Sequence, residues 1–357
     1  MKKLKNATFT KILSLVLALV FVLGTFVGCG SKEEPETTTE APTTEATTMP
    51  RVLEGNPLTG EAGYNEALLE NRPVFVVVEN HPDARPQWGL TSSDIVWEMV
   101  AEGGITRMLL MYADASRLPQ KIGPVRSTRH YFLELVQGFD GIFVHFGGSK
   151  YAYQYLKSND VDNIDGKYDS KAFSRDKSRG VASEHTAYTT VDKIADAISR
   201  KEYRTTIKEE YKAPFIFNSE AVKLSGGDCN SVVVSFSDSY TYTYTYDAQK
   251  NVYYSALKGN PFKDSEGNQQ NFENIIVCYT DVSNISGDKK NRVNLDLSEG
   301  EGIYISNGSY QSIKWEKGDK TDMMKFYNSD GSELSLNKGR SYIALVDEGR
   351  ADKTVIS

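Results

Sequence analysis

Residues 91–104 read TSSDIVWEMVAEGG, and their assignment decides the fold. Ile95, Val96, Met99 and Val100 fall at helical spacing, Thr91 or Ser92 can cap the segment, and Gly103 can end it. Read as a helix, the stretch links two apolar runs. PVFVVVEN (73–80) is short and valine-rich, as in a strand buried on both faces. ITRMLLMYAD (105–114) is a second strand. GPVRSTRHYFLELVQG (123–138) then gives a helix with Ser127 as cap, an apolar face through Phe132, Leu135 and Val136, and Gly138 as stop. GIFVHF (141–146) is a third strand, and SKYAYQYLKS and VDKIADAISR are further helices. Repeated β-α-β units predict an α/β domain over residues 57–205, its sheet parallel or mixed with flanking helices.

From residue 213 to 357 the pattern changes. SVVVSFS, YTYTYTY, NVYYSAL, NIIVCYT, GIYIS and SYIALVD are short, β-branched or aromatic, and separated by turn signals such as NGS and SDGS. A mostly β domain is expected there, a sandwich or a partly open barrel. The Thr-Tyr alternation from Tyr240 suits a half-buried strand better than an exposed sugar-binding face.

The first 28 residues have the layout of an export signal. Lys2, Lys3, Lys5 and Lys11 precede the apolar run ILSLVLALVFVLGTFVG, which meets Cys29. A cysteine directly after Gly28 is the pattern of a bacterial lipoprotein signal, with lipid on Cys29, although Phe26 stands where leucine is usual. A single transmembrane anchor is the competing reading. Residues 29–56 are rich in Thr, Glu and Pro and have little to bury, so they read as an extended tether. The globular part is then expected on the outer face of the cytoplasmic membrane, exported and lipid-anchored. Loss of the signal takes the net charge from −7 to about −11. That balance argues against nucleic acid as partner. Export permits a disulfide between Cys229 and Cys278, but the sequence does not show that they meet.

Candidate chemistry gathers in the α/β region. His81 and His145 lie at predicted C-terminal strand ends, where open α/β sheets bind ligands. After His145, Gly147, Gly148 and Ser149 lead into a helix whose free N–H groups suit an anion. Arg126 and Arg129 stand near another helix N-terminus, where they oppose the dipole. A bound carboxylate or phosphate would compensate them, and ion pairs to the domain's own acids are the alternative. Glu98 and Glu102, four apart on the expected helix, are equipment for acid–base chemistry. The plainer reading is an ion pair from Glu102 to Arg107. A simple βαβ layout puts that turn at the opposite end of the sheet from His145, and only a mixed sheet brings them together. His185 sits in a polar loop, SEHTAYT, and can act as acid, base or anion contact. No HxH, HExxH or Cys/His spacing is present, so a zinc site needs histidines from separated segments, and neither metal nor cofactor is expected. No G-x-S-x-G elbow is present either.

RPVFVVVENHPDARPQWGLTSSDIVWEMVAEGGITRML, IGPVRSTRHYF, FVHFGGS and RDKSR…EHTAYT resemble the YerB-like lipoproteins of Gram-positive bacteria. The likeness covers nearly everything after the tether, more loosely in the C-terminal part. It implies an α/β N-terminal domain of unassigned function joined to a β-rich C-terminal domain. By the same resemblance Asn80, Arg85, Pro86 and Gln87 join Glu98, Glu102, Arg107, Arg126, Ser127, Arg129, His145, Gly148, Ser149 and His185 as matching motif positions. SEHTAY departs from the family's more usual PHNLY.

The leading expectation is an envelope lipoprotein that binds and cleaves a cell-wall component. Arg126, Arg129, His145 and the Ser149 helix start would hold an anionic or oxyanionic group. Glu102, with Glu98 or His185, would transfer protons. The rival is a non-catalytic lipoprotein that captures a small anionic ligand or scaffolds a membrane complex. A third reading makes the polar motifs internal ion pairs and places function on the tyrosines.

Overall fold

Residues 95–100 are a strand, not the expected helix. IVWEMV is buried at every position. The apparent helical face came from one charged residue, Glu98, interrupting an apolar run that is covered on both sides. β-Branched Ile95, Val96 and Val100 favour extended backbone. The computed structural model describes residues 55–357. The expected signal peptide, Cys29 and the tether through residue 54 lie outside the described residues.

Strand β1 (Val74–Glu79), β2 (Ile95–Val100) and β3 (Thr106–Tyr112) form an antiparallel set with β3 in the middle. Gly103 and Gly104, with φ of 69° and 71°, turn the β2–β3 hairpin in left-handed conformations that suit glycine. Thus the glycine expected to stop a helix closes a hairpin. Helix α1 (His130–Gln137) leads to β4 (Ile142–His145), parallel to β1. Helix α2 (Lys150–Ser158) leads to β5 (Asn163–Asp165), parallel to β4, and α3 (Val191–Arg200) follows. The N-terminal region is therefore a mixed sheet with few helices.

The C-terminal region is mostly β. Its longer strands are β6 (Ser231–Ser237), β7 (Tyr240–Asp247), β8 (Val252–Leu257), β9 (Asn274–Thr280), β10 (Glu299–Ser306), β11 (Ser309–Glu316), β12 (Lys325–Asn328) and β13 (Ser341–Asp347). Strand β13 pairs in parallel with β9 on one side and with β2 on the other. One sheet thus runs through both regions, in the order β12-β11-β10-β9-β13-β2-β3-β1-β4-β5. Strands β6, β7 and β8 belong to a second sheet.

Both faces of the long sheet are covered at its central strands, which explains their continuous apolar runs. Val74, Val76, Val78 and Val96 pack with Tyr242 and Tyr244 of the second sheet and with Ile194 and Ala197 of α3. Phe75, Val77, Trp97 and Phe143 pack on the other side with Phe132, Leu135 and Val136 of α1. The alternating tyrosines of β7 are core residues: Tyr240, Tyr242 and Tyr244 are all buried. Cys229 and Cys278 are free and buried, without a disulfide between them. Burial pushes the Cys229 thiol up to about 11 and that of Cys278 higher still.

One polar cluster joins the two sheets. Glu98, fully buried, accepts hydrogen bonds from Tyr242 (3.0 Å) and Asn80 (3.0 Å) on one oxygen and from Tyr342 (2.9 Å) on the other, with Thr106 also donating. Burial raises its pKa to about 7, although the donors from Thr106, Tyr342 and Tyr242 pull the other way. An acid held protonated by the fold loses stability as pH rises from its unfolded pKa towards its folded one. Relative to Glu98→Gln, the wild type should therefore lose about 3 kcal/mol between pH 4.5 and pH 7. Thermal melts of both proteins at pH 5 and pH 8 check this. A difference in melting temperature that stays constant with pH counts against a titrating Glu98.

Candidate functional site

Because the sheet is mixed, the β2–β3 turn lies at the same edge as the C-terminal ends of β1 and β4. Residues 124–126 run beside the end of β1: the Glu79 amide donates to Pro124 O (2.9 Å) and the Arg126 amide to Val77 O (3.0 Å). The Val125 amide donates to Ala187 O (2.7 Å), which brings the His185 loop alongside. Thr128 bridges to Gly148 in the turn after β4. These contacts build a cleft of about 500 Å³ whose lining includes Glu102, Arg107, Arg126, Arg129, Ser149 and His185.

Five cationic residues, Arg107, Arg126, Arg129, Lys290 and Arg292, face three acids, Glu79, Glu102 and Glu184. Glu102 is the hub. Arg129 donates to both of its oxygens, Nε at 2.6 Å, while Arg107 and Arg292 stand 3.9 and 3.8 Å away. Burial would raise the Glu102 pKa, but the Arg129 hydrogen bonds and charge, helped by Arg107, hold it below the usual carboxylate range. Arg107 is driven down to about 9, by burial first and by the charge of Arg129 second. It donates to Ser127 O. Arg126 forms a 2.9 Å ion pair with Glu79 and a 3.4 Å pair with Glu184. Asp288 holds Arg292 at 2.8 Å.

The cleft gathers Glu102, Arg107, Arg126, Ser127, Arg129, Gly148, Ser149 and His185, and leaves out four other expected site residues. Glu98 and Glu102 do not share a helix face: Glu98 is in the inter-sheet cluster and Glu102 begins the hairpin turn. His145 does not converge with the arginines. It is fully buried, with Nδ1 within 2.8 Å of Gly147 O and Nε2 within 3.2 Å of Asn163 Oδ1, and burial lowers its pKa. Asn80 is a core residue that donates to Glu98, Thr106 and Tyr242 and accepts from Arg85 and Gln87. Arg85 is held by Asn80 and lies over the Tyr240 ring at 5.2 Å. Both serve the fold. Ser127 does not cap α1: Arg129 occupies that position, and the Ser127 hydroxyl donates to Phe146 O. Ser149 does cap α2, accepting from the Ala152 amide.

Some lining residues escaped the sequence reading. Glu79 looked like the ordinary end of a strand, yet it ion-pairs with Arg126 and lies 2.9 Å from His185 Nδ1. Lys290 and Arg292 belong to GDKKNR, which reads as a surface turn in the C-terminal region, and nothing local shows that it reaches an N-terminal cleft.

Removing the hub carboxylate isolates the crowded arginines. Glu102→Gln should cost about 1–3 kcal/mol, less than a fully buried pair because the carboxylate is partly exposed. Millimolar sulfate should then restore more stability to the variant than to the wild type. Urea unfolding with and without sulfate checks this, and equal salt effects on both proteins would contradict it.

Comparison with known proteins follows this architecture. Residues 58–204 match the model described as "Protein of unknown function (DUF3048) N-terminal domain", and residues 232–343 match its C-terminal domain. The chain is 33% identical over 339 residues to "Putative lipoprotein YerB" of Bacillus subtilis, covering 93% of this chain and 95% of that protein. A crystal structure of the YerB protein from Bacillus subtilis superposes with a TM-score of 0.73 at 32% identity, covering 86% of this chain and all of that one. By both domain matches and by this relative, the chain belongs to the DUF3048 family of YerB-like proteins.

Proposed function

We propose that this is a lipid-anchored envelope protein, exposed on the outer face of the cytoplasmic membrane, whose cleft captures an anionic group of a cell-wall component. The lipoprotein name of its Bacillus subtilis relative supports the anchor, as does Cys29 directly after the apolar leader. The observation that carries the ligand reading is the charge imbalance: five cations line one cleft with three acids, and Asp288 behind Arg292 leaves the cations in excess by one. Crowded guanidinium groups favour a ligand with a carboxylate or phosphate, which arginine binds through paired N–H donors. Cleavage by two carboxylates finds less support, because Glu98 is buried away from the cleft and both Glu102 oxygens are engaged by Arg129.

The test is co-sedimentation of the full chain with purified peptidoglycan and with wall-polymer phosphate, followed by mass spectrometry of the supernatant. The expected result is retention that falls roughly tenfold or more in Lys290→Ala/Arg292→Ala, as for loss of charge-assisted contacts, with no released fragments. Retention equal to wild type in that variant would remove the cleft as the binding site. Fragments released by wild type, but not by His185→Gln, would restore the hydrolytic reading.

A further inference from the structure

The sequence spaces its histidines too widely to suggest a metal, but the fold brings two of them together at the rim of the cleft. His81, at the end of β1, and His185 stack with ring centroids 4.6 Å apart and planes 12° apart. Asp83 joins them, and one ligating atom from each of the three residues lies within 4.8 Å of the other two. Two imidazoles and a carboxylate are a donor set for zinc and related divalent transition metals.

A second observation is independent of the cluster. His185 Nδ1 lies 2.9 Å from Glu79 Oε2 in a buried contact. An ionised carboxylate can only accept, so the contact assigns the proton to Nδ1 and leaves the Nε2 lone pair on the side of Asp83 and Glu184. A carboxylate behind an imidazole is the arrangement that orients metal-binding histidines. Nε2 faces Asp83 Oδ2 at 4.0 Å and Glu184 Oε1 at 3.5 Å, and His81 Nδ1 is 3.7 Å from Asp83 Oδ2. Ligands about 2.1 Å from one tetrahedral ion stand roughly 3.4 Å apart, so Asp83 and His185, with donors 4.0 Å apart, need close only slightly, while His81 must reorient. The Asp83 side chain is 54% exposed, which opens a path for the ion. Two cations stand nearby: Arg126 is offset by Glu79 and Glu184, and Arg179 is held by the Asp83 and Arg85 carbonyls, 3.4 and 3.1 Å away.

We propose that His81, Asp83 and His185 form a divalent transition-metal site, with Glu79 as the positioning residue behind His185 and solvent completing the coordination. Parallel rings aim their lone pairs alongside one another, not at one point. Binding therefore swings His81 out of the stack and breaks its 3.2 Å bond from the Asp83 amide. The site does not depend on the anion reading, since none of its three ligands is one of the cleft's cations.

The test uses the untagged full chain in detergent, stripped with chelator and titrated with Zn2+ by calorimetry. Co2+ absorption reports ligand geometry in parallel. One equivalent of Zn2+ should bind saturably. Asp83→Asn and His81→Gln should each weaken binding at least tenfold, His185→Gln should abolish it, and Glu79→Gln should weaken it ~10–100-fold. His130→Gln, away from the site, should bind like wild type. Because Asp83 and His81 are accessible, their variants keep the test decisive if His185→Gln fails to fold. Absence of saturable binding by wild type, or wild-type affinity in Asp83→Asn and His81→Gln, overturns the proposal.

Discussion

Parallel pairing of Ile95–Met99 with Ser341–Leu345 joins the two regions into one sheet, and the rest of the molecule is arranged around that seam. It makes β2 an interior strand flanked by β3 and β13. An interior strand covered on both faces accepts an unbroken apolar run. The single acid it carries, Glu98, must then find its donors inside the protein. Those donors come from three places: Tyr342 on the neighbouring strand, Tyr242 on the second sheet, and Asn80 and Thr106 at the strand ends. One buried carboxylate thus fixes the register of the seam and the seating of the second sheet together.

The mixed order of the sheet has a separate effect on chemistry. An all-parallel arrangement would have put the start of β3, and Arg107 with it, at the far edge. Antiparallel pairing keeps that start beside the end of β1, so Glu102 meets Arg107 and Arg129 while Arg126 meets Glu79. The arginines at the start of α1 oppose its dipole, and internal carboxylates provide much of their compensation. What remains is an excess of cations, in part because Lys290 and Arg292 arrive from the C-terminal region.

Much of this was legible in the sequence where local pattern and environment agreed. Helices α2 and α3 begin at Ser149 and Thr190, both of which cap through their hydroxyls as small polar residues do at helix starts. The runs at 231–237, 274–280 and 341–347 are strands with the expected bounds. Eight of the expected site residues line one cleft, including Arg126, Arg129 and His185. The failure at 91–104 has a plain cause. With one polar residue in six, IVWEMV matches a helix face as well as a doubly buried strand, and only the partner strand, some 245 positions later, decides between them. His145, Asn80 and Arg85 misled for a different reason. Polar residues beside strand ends look alike in sequence whether they face a ligand or satisfy backbone and side-chain groups within the protein. Nothing near His81 in the chain announces His185, because their proximity is produced by the hydrogen bond from Val125 to Ala187.

The seam also bears on how the chain is born. Tyr342 and Glu98, in direct contact, are 244 positions apart, and translation delivers the first long before the second. Throughout that interval β2 presents an open edge of unpaired backbone groups, and Glu98 lacks one of its phenolic donors. Exposed strand edges invite pairing with other chains, and contacts this distant form late. Until residues 341–347 emerge to close it, the N-terminal half carries an edge open to pairing with other chains.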